Sequence, residues 1–213
     1  SRVILSGGGI GTPEILKSSG KTAAGSNYFF DPLVAVFGAL PEVEGGREFP
    51  MAAGIHLEDE GCVLTDLVFP RWMYQFFSAA KFRLDRLHAH RRSAVIMVKI
   101  RDDLGGRLTS RGGVRKRLSR ADRERLRNGV EHARRILSRA GAEKVYTSRI
   151  LATHPGGTAK VGEVVDSNLQ TRTTGLYVCD CSVIPEAWGL PPTLTILALG
   201  KRLAKHLGSE IAA

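Results

Sequence analysis

Apolar positions along the chain change period several times, and each change marks an element. Arg2-Val3-Ile4-Leu5-Ser6 is a short apolar run entering Gly7-Gly8-Gly9-Ile10-Gly11. Thr12-Pro13-Glu14-Ile15-Leu16-Lys17-Ser18-Ser19-Gly20 follows, with a capping hydroxyl, a proline suited to the first helical position and a glycine stop. This predicts strand, turn and helix, and a chain segment ahead of the strand is expected. Residues 21–50 are punctuated by Pro32, Pro41, Pro50 and Gly45-Gly46, which predicts loops joining brief strands, Leu33 to Phe37 among them. Met51 to Leu57 and Cys62 to Val68 read as extended, with Asp59-Glu60-Gly61 as the hairpin turn between them. Ala94 to Ile100 is a strong β run, and Gly105-Gly106 and Gly112-Gly113 bracket Arg107 to Arg111 like turns of a meander. The middle of the chain is therefore expected to be an antiparallel sheet.

Helical spacing is clearest from Ser119 to Ala140, where Leu126, Val130, Ala133, Leu137 and Ala140 step by four and three along one face and Gly141 follows the end. The arginines of that helix are expected to face water. Arg71 to Arg83 carries Trp72, Tyr74, Phe76, Phe77 and Phe82; core packing is the simpler reading, and the wall of an apolar pocket is the other. Towards the end, Leu176 to Cys179 reads as a strand, Asp180 follows it, and Pro191-Pro192 opens a helix through Leu207. There is no internal repeat. The fold class is α/β (α+β): one domain, 1–25 and 149–213, interrupted by another, 26–148.

Composition adds limits. The 213 residues carry a formal charge of +10, with 43% apolar and 24% charged residues, as in a globular chain of one domain or two small ones. No run of 18 apolar residues and no signal-peptide pattern is present, so no membrane span is expected. Cys62, Cys179 and Cys181 are an odd count without metal-site spacing, which points to reduced thiols and a cytoplasmic setting. His88-x-His90 lacks further ligands at suitable spacing, so no metal is expected. Residues 107–139 contain 12 Lys+Arg and three acids, Asp122, Glu124 and Glu131. That concentration keeps an alternative in view: a basic module binding nucleic acid or an anionic protein without catalysis. No nucleic-acid motif or stacking aromatic accompanies it, so a solvated helix face, or a dock for an acidic electron-transfer protein, accounts for it more simply.

Four landmarks together resemble the C-terminal half of the glucose-methanol-choline (GMC) family of flavin oxidoreductases. Gly11 to Gly20 is similar to the family's glycine turn followed by Thr-Pro, aliphatics and Ser-Gly. Thr153-His154-Pro155-Gly156-Gly157-Thr158 is similar to the His-Pro-x-Gly-Thr segment that carries its active-site histidine. Val165-Asp166 and then Gly175 to Pro185 resemble the strand whose aspartate meets the flavin, and Pro192-Thr193-Leu194-Thr195 begins the closing helix. The resemblance implies a partial FAD-binding, Rossmann-like domain beside a substrate-binding domain with an antiparallel sheet and helices. It implies FAD as cofactor, His154 as catalytic residue, and Gly8, Asp180, Cys181, Pro192, Thr193 and Leu194 as cofactor-binding residues. Trp72, Phe76 and Trp188 are the expected substrate-binding residues.

Two departures qualify it. Gly7, Gly9 and Thr12 do not form G-x-G-x-x-G, and no other stretch does, so a partner chain or missing segment carrying that half of the flavin domain is expected. Pro191 stands where the family usually has His or Asn, and a proline side chain donates no hydrogen bond.

The residue chemistry agrees with the resemblance. Oxidising a hydroxyl at a flavin needs a base poised near neutrality, and His is the natural one. A structural, hydrogen-bonded histidine is the plain alternative for His154, as a turn-capping carboxylate is for Asp180. The N–H groups of Thr193, Leu194 and Thr195 lie at the positive end of the closing helix, which suits an anionic group.

Overall fold

The computed structural model describes residues 2–20, 23–109 and 112–212. In chain order the elements are β1 (Val3–Leu5), α1 (Gly8–Ser18), β2 (Leu33–Ala39), β3 (Gly54–Leu57), β4 (Cys62–Asp66), α2 (Arg71–Ala80), β5 (Ser93–Ile100), β6 (Arg107–Leu108), β7 (Val114–Arg115), α3 (Arg120–Arg139), β8 (Glu143–Thr147), β9 (Leu176–Val178) and α4 (Thr193–Ala212). The fold is mixed α and β, as expected. Two compact units divide it, the first made of Ser1–Asp31, Asp102–Ser119 and Ala152–Ala213, the second of Pro32–Arg101 and Arg120–Leu151.

The second unit is an antiparallel five-stranded sheet in the order β3-β4-β5-β2-β8. The β3–β4 hairpin turns through Asp59-Glu60-Gly61, with Gly61 at φ +61°, a left-handed conformation that glycine adopts without strain. Strand β2, between β5 and β8, is buried at all seven positions, which requires cover on both faces. Successive residues point to opposite faces. Phe37 stacks on Tyr146 at 4.8 Å and meets Tyr74 of α2 edge-on at 5.7 Å. Gly38, on the other face, lies against Leu137 and Ala142. The expected apolar face of α3 is buried at Leu126, Ala133 and Leu137, while Val130 is half-buried and Ala140 exposed. Its place against the sheet is taken at Gly129, where a Cβ would lie 2.4 Å from Val98 Cγ1. Gly129→Ala is accordingly expected to lower stability by about 1–3 kcal/mol through overpacking, although Ala is the better helix former, read as a lower denaturation midpoint at unchanged slope.

The first unit pairs β1 with β9 in parallel, Val3 opposite Leu176 and Leu5 opposite Val178. Leu16, Phe29, Val178, Val183 and Leu203 form its core, with Trp188 and Leu199 packed against them. Helix α1 corrects one expectation. It begins at Gly8, so Pro13 lies inside it and Thr12 is not its cap. Pro13 has no N–H for the carbonyl of Gly9, four residues back; that carbonyl instead accepts from Thr158 Oγ1 at 2.8 Å. The stop at Gly20 stands: Gly20 has φ +78° and its N–H donates to Lys17 O at 3.0 Å.

Residues 102–119 do not join the central sheet as the meander expectation had it. β6 and β7 form a separate hairpin, tied by Leu108 N–H to Gly25 O at 2.8 Å and by two backbone bonds between Tyr28 and Gly106. Arg111, the end of the expected turn segment, lies outside the described residues. The unit boundaries at 31 and 151 also differ from the expected 25 and 148. Phe30 O still accepts from the N–H groups of Thr153 and His154, whereas Leu33 pairs with Leu151 in the second unit. Among the described residues, no helix is long and apolar enough to cross a membrane.

Candidate functional site

The loop carrying His154 is held by backbone bonds along its length. His154 N–H donates to Phe30 O at 3.1 Å, Gly156 N–H to Phe29 O at 3.0 Å and Ala159 N–H to Ser182 O at 2.8 Å. The two glycines after Pro155 are required by close approach: a Cβ on Gly156 would meet Phe29 Cζ at 2.5 Å, and one on Gly157 would meet Asn27 O at 2.4 Å. Gly9 of α1 packs as tightly from the other side, with Pro155 O at 2.2 Å from its would-be Cβ. The imidazole of His154 is therefore mounted on a loop with little freedom. Its side chain is 28% exposed, and Nδ1 lies 3.3 Å from Oδ2 of Asp31, a fully buried carboxylate.

Asp31 was not among the sequence-derived candidates. Its other carboxylate oxygen accepts from Gly189 N–H at 3.2 Å, its N–H donates to Asp102 Oδ1 at 3.0 Å and its C=O accepts from Thr153 Oγ1 at 2.7 Å. Asp102 is itself buried and paired at 3.0 Å with Lys116, whose side chain is 6% exposed. Burial pushes the Asp102 carboxyl above its ordinary range, with the Lys116 ammonium acting against that rise. The only sequence signal for Asp31 is an acid set between Phe29-Phe30 and Pro32 in an otherwise apolar run.

Asp180 is buried at the end of β9 and bonds to its own chain. Oδ2 accepts from Gly8 N–H at 2.9 Å and from Thr12 Oγ1 at 2.5 Å, and Oδ1 accepts from Ser182 N–H at 2.7 Å. This carboxylate fastens the glycine-rich start of α1 to β9, and the Gly8 N–H is spent on it. The Cys181 thiol is pushed up by burial and then by the Asp180 and Asp31 carboxylates, which keeps it protonated near neutrality.

At α4, the buried Pro192 accepts the first helical bond, from Ile196 N–H at 3.0 Å. The N–H groups of Thr193, Leu194 and Thr195 precede that bond, and Leu194 and Leu197 are exposed. Trp188 is half-buried on the core of the same unit. Through Gly189, Asp31 joins the loop entering α4 to the imidazole of His154. Trp72 and Phe76 lie on α2 of the second unit, 65% and 63% exposed, whereas Tyr74 and Phe77 of the same aromatic run enter that unit's core. Core packing thus accounts for two of these aromatics and not for Trp72, Phe76 or Phe82. Among the described residues no cluster of three or more His, Cys, Asp or Glu could hold a metal, and His90 Nε2 donates to Phe69 O at 2.7 Å.

Residues 114–200 match the family model described as GMC oxidoreductase. An uncharacterized protein of Methanocaldococcus jannaschii is 30% identical over 96% of this chain and 52% of its own length. A long-chain-alcohol oxidase of Arabidopsis thaliana is 25% identical over 93% of this chain and 36% of its own length. The chain thus spans about half the length of these curated relatives or less. Pyridoxine 4-oxidase from Mesorbium loti superposes with a TM-score of 0.65 at 18% identity, covering 96% of this chain and 51% of that one. A formate oxidase of Aspergillus oryzae, solved in a study of its FAD modification, superposes with a TM-score of 0.62 at 16% identity over 98% of this chain and 54% of its own. These two structures establish the shared fold. For residues 114–200 the likeness supports a C-terminal region of the GMC oxidoreductase family.

Proposed function

We propose that this chain forms the ring-binding half of the site in an FAD-dependent oxidoreductase acting on a CH–OH group, with His154 as the base. One observation carries the reading. Asp31 joins, in one unit, a partly exposed imidazole on a rigid loop to the loop that opens α4. Relatives named as alcohol and pyridoxine oxidases support the reaction class, and the formate oxidase supports FAD.

The residues fit the ring end of FAD and not its adenylate end. The first N–H groups of α4, which precede its helical bonds, and the exposed Leu194 suit a planar ring with an electron-rich edge. The glycine turn lacks the dinucleotide spacing, and the first N–H of α1 is committed to Asp180 instead of a diphosphate. A segment or partner chain with the G-x-G-x-x-G half completes the site. Asp180, Cys181 and Gly8 act there through backbone placement, and Pro192, Thr193 and Leu194 through the helix start.

FAD, when bound, supplies the hydride acceptor. His154 accepts the hydroxyl proton as the C–H hydride departs, so that the substrate leaves as a carbonyl compound. Pro191 contributes no donor, so orientation of the substrate oxygen falls to His154 and to other residues. Trp188, packed on the core of the first unit, supplies apolar surface for a small-molecule substrate. An external electron acceptor, such as an electron-transfer protein, reoxidises the enzyme.

Native isolation tests this. The protein purified from its own source is expected to show flavin absorbance and, by mass analysis, additional polypeptide carrying the G-x-G-x-x-G half, on the same chain or another. A folded native protein that holds no flavin and takes none up would overturn the reading.

A further inference from the structure

We propose that Asp31 is a positioning residue that fixes His154 as the Nδ1–H tautomer and leaves Nε2 as its basic nitrogen. The inference deepens the reading of His154 as a base and rests on it for its functional consequence. A carboxylate only accepts, so the imidazole nitrogen 3.3 Å from Asp31 Oδ2 is the one that carries the proton. The other oxygen of Asp31 accepts from Gly189 N–H, so the carboxylate sees donors on both sides. With Nδ1 donating inwards to a fully buried group, the lone pair of the neutral ring lies on Nε2, in a side chain 28% exposed.

The position of Asp31 is itself overdetermined. Its N–H is held by Asp102, which pairs with Lys116, and its C=O is held by Thr153, the residue next to the histidine. Asp31 has φ +46°, a left-handed conformation uncommon outside glycine, and such strain persists where surrounding bonds impose it. One carboxylate thereby sets the tautomer of the imidazole, its ring orientation and the approach of the α4 loop.

The direct measurement is the nitrogen NMR spectrum of the full chain labelled at histidine, with His154 assigned by the signal lost in His154→Gln. In a neutral imidazole the shifts of the two nitrogens report the tautomer. A pyrrole-type Nδ1 and a pyridine-type Nε2 are expected; a predominant Nε2–H form in the wild-type protein overturns the inference. Asp31→Asn keeps the volume but turns a donor towards Nδ1 if its oxygen stays on Gly189 N–H. This variant is expected to shift His154 towards the Nε2–H form. In the flavin-loaded enzyme it is expected to lower kcat on the order of 10²-fold or more with a much smaller change in KM, as when a base is held in the wrong tautomer. A folded Asp31→Asn with the wild-type tautomer and turnover also overturns the inference. If the variant does not fold, the wild-type spectrum decides. If the tautomer is as stated but His154→Ala leaves turnover unchanged, the tautomer assignment stands and the base role falls.

Discussion

Replacing His154 with Ala is expected to lower the rate of substrate oxidation in the flavin-loaded enzyme by on the order of 10²-fold or more. The argument runs through the loop. Thr153 to Ala159 is bonded to residues 29–31 and to Cys181–Ser182 at several points, so the imidazole is presented in one place whether or not substrate is there. Loss of a preorganised base costs the proton-transfer contribution in full, while binding that depends on apolar surface elsewhere is retained. Rapid-mixing absorbance without oxygen reads the rate directly. A large loss in kcat with KM little changed is the expected outcome; an unchanged rate removes the base role from His154. Thermal unfolding of the variant is expected at a somewhat lower temperature, since the buried Asp31 carboxylate keeps its bond from Gly189 N–H but loses the one from Nδ1.

The Gly9→Ala substitution is expected to destabilise the chain by about 3 kcal/mol or more, near the upper end of overpacking effects. A Cβ there would meet three main-chain atoms, Pro155 O at 2.2 Å, Pro155 C at 2.4 Å and Gly156 N at 2.7 Å, and none of these is a side chain that can swing away. Relief would move α1 or the His154 loop. It would also strain the bond from Thr158 Oγ1 to Gly9 O, which satisfies the carbonyl that Pro13 leaves without its helical donor. Gly11→Ala is the control, because nothing lies within 4 Å of its Cβ. In α1 it should stabilise by roughly 0.5–1 kcal/mol through helix propensity. Denaturation midpoints of the two variants on opposite sides of the wild type would confirm that packing against Pro155, and not glycine's flexibility, sets the residue at position 9.

How far the sequence could be read depended on how far apart the interacting residues are. The Gly61 turn, the β5 run and the α3 face are each written within about one element, by turn chemistry or by a period of two or 3.6 residues, and these readings agree with the structure except at Val130 and Ala140 of α3. The sequence pattern places the start of α1 five residues late because a capping hydroxyl and a following proline imitate a helix start. In the fold the Thr12 hydroxyl instead accepts from Gly7 N–H and donates to Asp180. The hairpin at β6 and β7 was assigned to the wrong sheet for a related reason: turn signals show that a chain reverses, not what it reverses against.

His154 was legible as a candidate because its loop chemistry is local and its motif is specific in sum. Asp31 was not, because its meaning comes from a histidine 123 residues away and an aspartate 71 residues away. Along the chain Asp31 is one acid before a proline. The sequence by itself determined the main strand runs, the long helix and the family resemblance, since periodicity, turn residues and motif order are properties of neighbours. Only the tertiary structure decided which carboxylate holds the imidazole, why Gly9 and Gly129 must lack a side chain, and that Asp180 serves the chain's own turn. Those outcomes depend on distances of a few ångströms between segments that folding alone brings together.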